Sequence, residues 1–210
     1  MDFRIISRAS ILEMPKDERA NFINALSGFK SANLIGSINA EGLSNLAIFN
    51  SVMHIGANPP LMGFIQRPAS VARHTYENIK QNGCFTINHV SESFYKQAHQ
   101  TSARYGAQWS EFEAVGLSEV YHESFSAPYI AEAQLSIGLR FAEEHHIGAN
   151  DTILVIGAVE WVRVAENAYL PDGMLDLEQL QTVAVSGLDW YYEAKSIARL
   201  PYAKPEEGKR

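Results

Sequence analysis

Alternating apolar and polar positions indicate a chain built mainly from β-strands. In residues 32–39, Leu34 falls on one face of a strand and Ile35 falls on the other. Residues 39–42 read Asn-Ala-Glu-Gly, which is favourable hairpin-turn chemistry. A second extended segment is therefore expected after the turn, over residues 43–53.

The same periodicity predicts further strands later in the chain. These strands cover residues 61–66, 84–89, 135–142 and 152–164. A loop is expected near residues 51–58, and the Pro59-Pro60 pair forces extended backbone before the strand that follows. Gly157 indicates a bend or a bulge inside the last strand.

Helical segments are predicted between some of these strands. Candidates are residues 22–29, 91–100 and 175–180, together with a capping-box pattern at residues 110–113. Thr75 is the predicted N-cap of a further helix that ends at Gly83. Strands in hairpin order with helices between them predict a mainly β fold, a closed antiparallel barrel with peripheral helices.

Size and composition are those of a soluble globular protein. The 210 residues are 46% hydrophobic and 20% charged, so we expect a single domain over residues 1–210 with a flexible tail from about residue 203. The net charge of −7 offers no basic face for a nucleic acid. The first 20 residues lack the apolar core of a signal peptide, and Cys84 is the only cysteine, so a cytoplasmic location is expected.

An uncharged segment stands out within this composition. Residues 42–66 contain no Asp, Glu, Lys or Arg, yet Asn45, Asn50, Ser51 and His54 supply neutral hydrogen-bonding groups. Its two prolines and three asparagines argue against a membrane span. The segment suits a flat, polar, partly buried organic ligand, although taken alone it is explained better by a core hairpin with a wide turn.

A second candidate feature is the sequence Arg73-His74-Thr75 at the start of the predicted helix. A helix N-terminus presents unpaired backbone N–H groups and a partial positive charge, which together favour a phosphate. Arg73 adds a charged fork, and Thr75 adds a hydroxyl. An ordinary N-cap beside an exposed arginine explains the same residues, and both interpretations stay open at this point.

Several familiar motifs are missing from the sequence. It has no G-x-G, no phosphate-binding P-loop, no G-x-S-x-G and no C-x-x-C. The adjacent His145 and His146 would point to opposite faces of a strand and could not share a metal ion. Cys84 has no evident base beside it. We therefore predict neither a catalytic side chain nor a metal site.

An ordered series of segments links these features along the chain. The series comprises residues 41–51, 58–61, 74–79, 83–88, 128–133, 153–159, 187–192 and 202–205. It resembles the flavin reductase-like, FMN-binding split-barrel family, in particular its flavoredoxin-like branch. Two positions depart from the pattern of that family: Ile48 stands where Pro is frequent, and Asn50 stands where Ser or Thr is frequent.

The resemblance implies an antiparallel split β-barrel, a homodimer, and a non-covalently bound FMN near the dimer interface. It implies that residues 45–51 lie along the isoalloxazine ring and ribityl chain, with Arg73 to Thr75 near the phosphate. It also makes His99 and Arg104 candidates for contact with the cofactor or the partner subunit. The cofactor-binding residues predicted in this way are Asn45, Leu46, Ala47, Ile48, Phe49, Asn50, Ser51, Arg73, His74, Thr75 and Asn88.

The function that the resemblance implies is that of an NAD(P)H-dependent flavin reductase. Because the flavin carries the chemistry, no acid, base or nucleophile is required from the protein. NAD(P)H would be a transient co-substrate, and the electron acceptor would be a small molecule or a protein. Two alternatives stay open: a flavoredoxin-like electron carrier without a useful NAD(P)H site, and a dimeric binding module that has lost its cofactor.

Overall fold

The computed structural model describes residues 2–68 and 72–205; residues 206–210 of the predicted flexible tail lie outside this part. Strands dominate the described residues, as the periodicity predicts. The strands are β1 (Lys30–Ser31), β2 (Asn33–Ile38), β3 (Ser44–Phe49), β4 (Met53–Ala57), β5 (Pro60–Gln66), β6 (Cys84–His89), β7 (Glu119–Val120), β8 (Tyr129–Ile130), β9 (Leu135–Ile147), β10 (Thr152–Val164), β11 (Val183–Ser186) and β12 (Trp190–Glu193). The helices are α1 (Arg8–Glu13), α2 (Lys16–Leu26), α3 (His74–Asn82), α4 (Tyr95–Gln100) and α5 (Glu111–Val115), with a 3-10 turn at Glu166–Ala168.

A seven-stranded antiparallel sheet forms the body of the molecule. Its strand order is β3-β2-β6-β9-β10-β5-β4, and a three-stranded sheet, β1-β11-β12, lies beside it. Strands β3 and β4 are the two edges, and no ladder joins them in the described part of the chain. The fold is therefore the split antiparallel barrel implied by the resemblance, rather than a barrel closed by continuous hydrogen bonding.

Strand β2 is buried on both of its faces and separates two apolar clusters. Ile35 belongs to a cluster with Phe64, Phe85 and Leu139, which we call the inner cluster. The alternate residue, Leu34, belongs to an outer cluster. The outer cluster consists of Ala32, Leu34, Leu46, Val90, Phe94, Ala98, Phe112, Leu117, Ile130, Ala133, Val183 and Val185. This division confirms the predicted alternation of faces.

Gly36 in β2 allows an unusually close contact between a loop and the sheet. A Cβ atom at this position would lie 2.3 Å from the Pro128 carbonyl oxygen and 2.6 Å from Oγ1 of Thr86. That hydroxyl donates to the same carbonyl at 2.5 Å. The loop before β8 therefore rests directly on the backbone of β2 beside the start of the candidate site.

Some local predictions are confirmed and others are wrong. The register between β9 and β10 shifts at Gly157, as the predicted bulge requires. The expected loop at residues 51–58 is wrong, because β4 forms there and pairs with β5. The predicted helix at residues 175–180 is also wrong. The carboxylate of Asp176 instead accepts from the N–H groups of Glu178 and Gln179, which fixes a turn.

The helices are all short. Among the described residues, no helix has the length and apolar character needed to cross a membrane.

Candidate functional site

Strand β3 contributes most of the predicted site residues, and it divides them between two sides. Asn45 lies opposite Ser37 of β2 and turns toward α3. Leu46 is fully buried in the outer cluster, and Ile48 packs against that cluster. Phe49 faces the inner cluster, where its ring meets Phe64 edge-on with centroids 4.9 Å apart. Leu46 and Phe49 therefore support the strand from within the core.

A buried network of neutral side chains joins β3 to the first turns of α3. The Asn45 amide nitrogen donates to Oγ1 of Thr75 at 3.0 Å and to Oγ of Ser37 at 3.3 Å. Asn78, one turn after Thr75, donates to the same Ser37 oxygen at 3.1 Å. All four side chains are less than 10% exposed. The structure thus brings together Asn45 and Thr75, which are 30 residues apart in the sequence.

The start of α3 differs from the predicted cap. The helix begins at His74 with Arg73 as N-cap residue, so Thr75 lies inside the first turn and its hydroxyl serves the buried network. The Arg73 N–H donates to the carboxylate of Glu77 at 3.0 Å. The Arg73 side chain donates from Nε to the Pro68 carbonyl at 3.1 Å, a bond that uses one of the five donors of a guanidinium.

An open cavity of about 240 Å³ lies over the junction of β3 and α3. Asn45 and His74, two of the predicted residues, line it together with Asn78 and the half-exposed ring of Trp109. Carboxylates of Glu41 and Glu77 also reach its wall. Within residues 2–68 and 72–205, no group of three or more His, Cys, Asp or Glu side chains has the arrangement of a metal site.

Glu111 at the start of α5 holds the outer side of β3. Its carboxylate accepts from the Leu46 N–H at 3.0 Å, although the residue is only 8% exposed. Next to it, the hydroxyls of Ser110 and Ser44 are 2.7 Å apart, so the predicted capping box is replaced by a contact with the strand. Burial raises the pKa of Glu111, and the bond from Leu46 and the charge of His74 oppose that rise.

This contact also establishes which backbone groups of β3 face outward. Because the Leu46 N–H points away from β2, the N–H and C=O of residues two positions along point the same way. Ile48 therefore turns a backbone donor and acceptor toward the edge of the sheet, next to the half-buried Ala47. The arrangement suits the edge of a flat ring that carries alternating donors and acceptors.

The far end of the predicted segment is held by two other elements. The Ser51 hydroxyl donates to the carbonyl of Ile65 and accepts from its N–H, each at 3.1 Å. The Asn50 amide donates to the carbonyl of Gly187 at 2.9 Å. From Asn45 to Asn50 an extended strand spans roughly 17 Å. The predicted residues therefore form an elongated site rather than a compact one.

Two other predicted residues have different surroundings. Asn88 is fully buried; its amide donates to the Leu34 carbonyl, and its side-chain oxygen accepts from the Ile130 N–H. Its place is in the sheet interior, away from the cavity. His99 contacts Tyr191 through Nδ1 and the phenol oxygen at 3.1 Å.

Some residues that form hydrogen bonds with the predicted site residues could be inferred from the sequence, and others could not. Ser37 and Asn78 could have been found, because the predicted hairpin pairs Ser37 with Asn45 and helical spacing places Asn78 one turn after Thr75. Glu111 and Gly187 lie 65 and 137 residues from their partners on the strand segment, and no local pattern indicates those contacts.

The fold and this edge strand define the class of the protein, that of the split-barrel flavoproteins. The chain belongs to the flavin reductase-like family, because the model of the flavin reductase like domain matches residues 27–179. It is 51% identical to a Shewanella frigidimarina NCIMB 400 protein assigned as a flavin reductase with a split barrel domain. The two structures agree with a TM-score of 0.93 over 96% of this chain and 100% of the other.

Two more distant structures share the fold. Nitrilotriacetate monooxygenase component B from Bacillus cereus is 22% identical, with a TM-score of 0.84 over 95% of this chain and 100% of that protein. The flavoredoxin of Desulfovibrio vulgaris (Miyazaki F) is 23% identical, with a TM-score of 0.72 over 84% of this chain and 92% of that protein. At these identities the likeness concerns the fold alone.

The residues present fit a flavin. The outward backbone groups of Ile48 match the donor and acceptor pattern on the polar edge of a flavin ring. Neutral amides and hydroxyls at Asn45 and Thr75 suit the polyhydroxyl chain, and Arg73 at a helix N-terminus suits a phosphate. The carboxylates of Glu41 and Glu77 disfavour an anion inside the cavity itself. Glu77 also occupies the Arg73 N–H, and the Pro68 carbonyl occupies Nε, so the remaining guanidinium donors of Arg73 are the groups that a phosphate could use.

Replacing Glu111 tests its role in holding β3. Glu111→Ala removes the acceptor of the Leu46 N–H, so we expect a loss of about 1–3 kcal/mol in the free energy of unfolding. Glu111→Gln keeps an oxygen in place without the buried charge, so it should be at least as stable as the wild type at neutral pH. Urea unfolding of both variants measures these differences.

The raised pKa of Glu111 also predicts how the free energy of unfolding depends on pH. A raised pKa means that the folded state holds its proton to higher pH than the unfolded state, in which the carboxyl titrates near 4.5. The stability of the wild type relative to Glu111→Gln should therefore fall as pH rises from 4.5 through the raised pKa. A difference that stays constant, or that grows with pH, would contradict the assignment.

Proposed function

We propose that this chain is an FMN-binding oxidoreductase that takes electrons from NADH or NADPH and passes them to a small-molecule or protein acceptor. Membership of the flavin reductase-like family supports the flavin chemistry. The observation that carries the proposal is the open edge of β3, where neutral polar groups and outward backbone groups lie beside apolar side chains. The chemistry that FMN supplies when bound is acceptance of a hydride and onward transfer of electrons.

The side chains of the protein bind and orient the cofactor in this proposal. Arg73 neutralises the phosphate at the start of α3, where the helix dipole also favours an anion. Asn45 and Thr75, by bonding one another, fix the distance between this helix start and the edge strand. Ile48 offers its backbone donor and acceptor to the ring. No side chain has to move a proton, which agrees with the lack of a catalytic triad in the sequence.

Anaerobic mixing of the FMN-loaded protein with NADH or NADPH tests the proposal. We expect the visible flavin absorbance, followed by stopped-flow spectroscopy, to decrease with at least one of the two donors. A flavin that stays oxidised with both donors, yet is reduced by a ferredoxin-like protein, would favour the electron-carrier alternative. A colourless protein that takes up no added FMN would overturn the flavin function altogether.

The phosphate assignment is tested by comparing two ligands on one variant. Losing a charged hydrogen bond in Arg73→Ala should weaken FMN binding by about 10- to 100-fold. Riboflavin lacks the phosphate, so its affinity should stay the same. Lys80→Ala is the matched control, because Lys80 lies on the same helix but pairs with Glu144 at 3.1 Å. Equal losses of affinity for FMN and riboflavin would show that Arg73 does not bind the phosphate.

We also propose that the protein is a homodimer. No residue of α1 or α2 is buried, although Phe3 and Ile5 before them and Leu26 within α2 are strongly exposed. Helices this short are marginal without a packing surface, and exposed apolar patches commonly mark interfaces. The extended tail exposes Ile197, Leu200 and Tyr202 in the same way. A second copy of the chain is the occupant we assign to these surfaces.

Sedimentation equilibrium measures this assembly. The wild type should sediment with twice the mass of one chain at micromolar concentration. Ile197→Ser combined with Leu200→Ser should raise the dissociation constant of the dimer by about 10-fold or more, since each buried apolar side chain contributes about 1.5–3 kcal/mol. Thr152→Ser in the exposed β9–β10 hairpin serves as a control. A monomeric wild type would contradict the proposal.

A further inference from the structure

The hairpin formed by β11 and β12 ends in a short turn beside the candidate site. Ser186 pairs with Trp190, and residues 187–189 connect the strands. Gly187 has a φ of +63°, a left-handed conformation that other residues adopt only with strain. The turn therefore has a defined shape, and its first carbonyl is the group that meets Asn50.

Two side chains from different elements hold this hairpin, one at its turn and the other on β12. At the turn, Asn50 after β3 donates to the Gly187 carbonyl at 2.9 Å. On β12, His99 of α4 bonds the phenol of Tyr191 at 3.1 Å, and the tilted rings of Tyr95 and Tyr191 are 5.6 Å apart. The hairpin also packs Val183 and Val185 into the outer cluster. Its base is thus anchored by packing, and the Asn50 bond fixes its turn.

Two large apolar residues, one on each side of Asp189, are exposed after Gly187. Leu188 is 37% exposed and Trp190 is 68% exposed. The Trp190 ring stacks on Tyr192 with centroids 5.7 Å apart and an angle of 23° between the planes. Tyr192 in turn meets Phe29 edge-on at 4.7 Å. A turn that exposes Leu188 and Asp189, followed by an aromatic row, therefore stands next to the end of the strand that carries Ile48.

We propose that Asn50 is a positioning residue that holds the Gly187–Trp190 turn as a wall over the ring end of the flavin site. This inference rests on the proposed function. The amide nitrogen of Asn lies one bond further from the backbone than the hydroxyl of Ser or Thr, and it reaches the Gly187 carbonyl as an N–H donor. Asn50, where the family pattern frequently has Ser or Thr, therefore has a physical role. Its amide joins the end of the edge strand to a turn 137 residues away in the sequence.

Hydrogen exchange of the protein without added flavin tests the contact itself. Asn50→Ser shortens the side chain, and Asn50→Asp leaves an acceptor facing a carbonyl, so both remove the bond. Amides of residues 186–191 should then exchange about 3- to 10-fold faster, the factor that corresponds to one ordinary hydrogen bond. Asn24→Asp is the matched control, because the Asn24 amide donates to the carbonyl of Ala20 at 2.8 Å in α2, within a different element.

Sulfite bleaching of the FMN-loaded protein tests the wall. Sulfite attacks a flavin ring only where it can reach it, so the bleaching rate of the visible band reports the exposure of the ring. At saturating FMN we expect both Asn50 variants to bleach about 3- to 10-fold faster than the wild type, as the turn opens more often. The Asn24→Asp control should bleach at the wild-type rate.

Each outcome decides the inference. Unchanged exchange at residues 186–191 in both variants would overturn the contact, and faster exchange with unchanged bleaching would overturn the wall. If the wild type takes up no FMN, the proposed function fails and the wall with it, while the exchange result still decides whether Asn50 positions the turn.

Discussion

The register between β2 and β3 is the constraint on which the candidate site depends. It places Asn45 opposite Ser37 and Leu46 opposite Gly36. A slip of one residue would exchange the faces of β3, burying an amide in the outer cluster and turning Leu46 toward the polar network. The Asn39 side chain guards against this slip by accepting from the N–H groups of Glu41 and Leu43 at 3.1 and 2.8 Å, which fixes the turn.

An edge strand with outward backbone groups is useful for binding and hazardous for solubility, because it can also pair with another chain. This protein holds the two ends of the strand segment and leaves the middle accessible. Glu111 and Ser110 form hydrogen bonds at the beginning of the segment. Asn50 and Ser51 form hydrogen bonds at its end. Burial of the Glu111 carboxyl carries a desolvation cost, which raises its pKa, and the bond from the Leu46 N–H offsets part of that cost.

Local sequence patterns predicted the long strands and α3, failed for β4 and for the turn at residues 175–180, and gave no information on how the elements dock. Strand alternation predicted the two faces of β2, and turn chemistry predicted the hairpin that follows. Thr75 is the predicted N-cap, but Arg73 takes that position. The Thr75 hydroxyl lies in the first turn and accepts from the Asn45 amide, because a buried amide requires a partner. The contacts of Glu111 and Gly187 depend on how distant elements pack. A short window of residues contains no information about such packing.

The long sequence separations within the site also have a kinetic meaning. Asn45 meets Thr75 across 30 residues, Leu46 meets Glu111 across 65, and Asn50 meets Gly187 across 137. Contacts that close long loops form late in folding, because their entropic cost must be met before they contribute stability. The β2–β3 hairpin can form by itself, whereas Glu111 reaches its edge only when α5 docks and Gly187 only when β11 and β12 dock. A nascent chain therefore presents the Asn50 end of this edge without its partner until residue 187 has been synthesised.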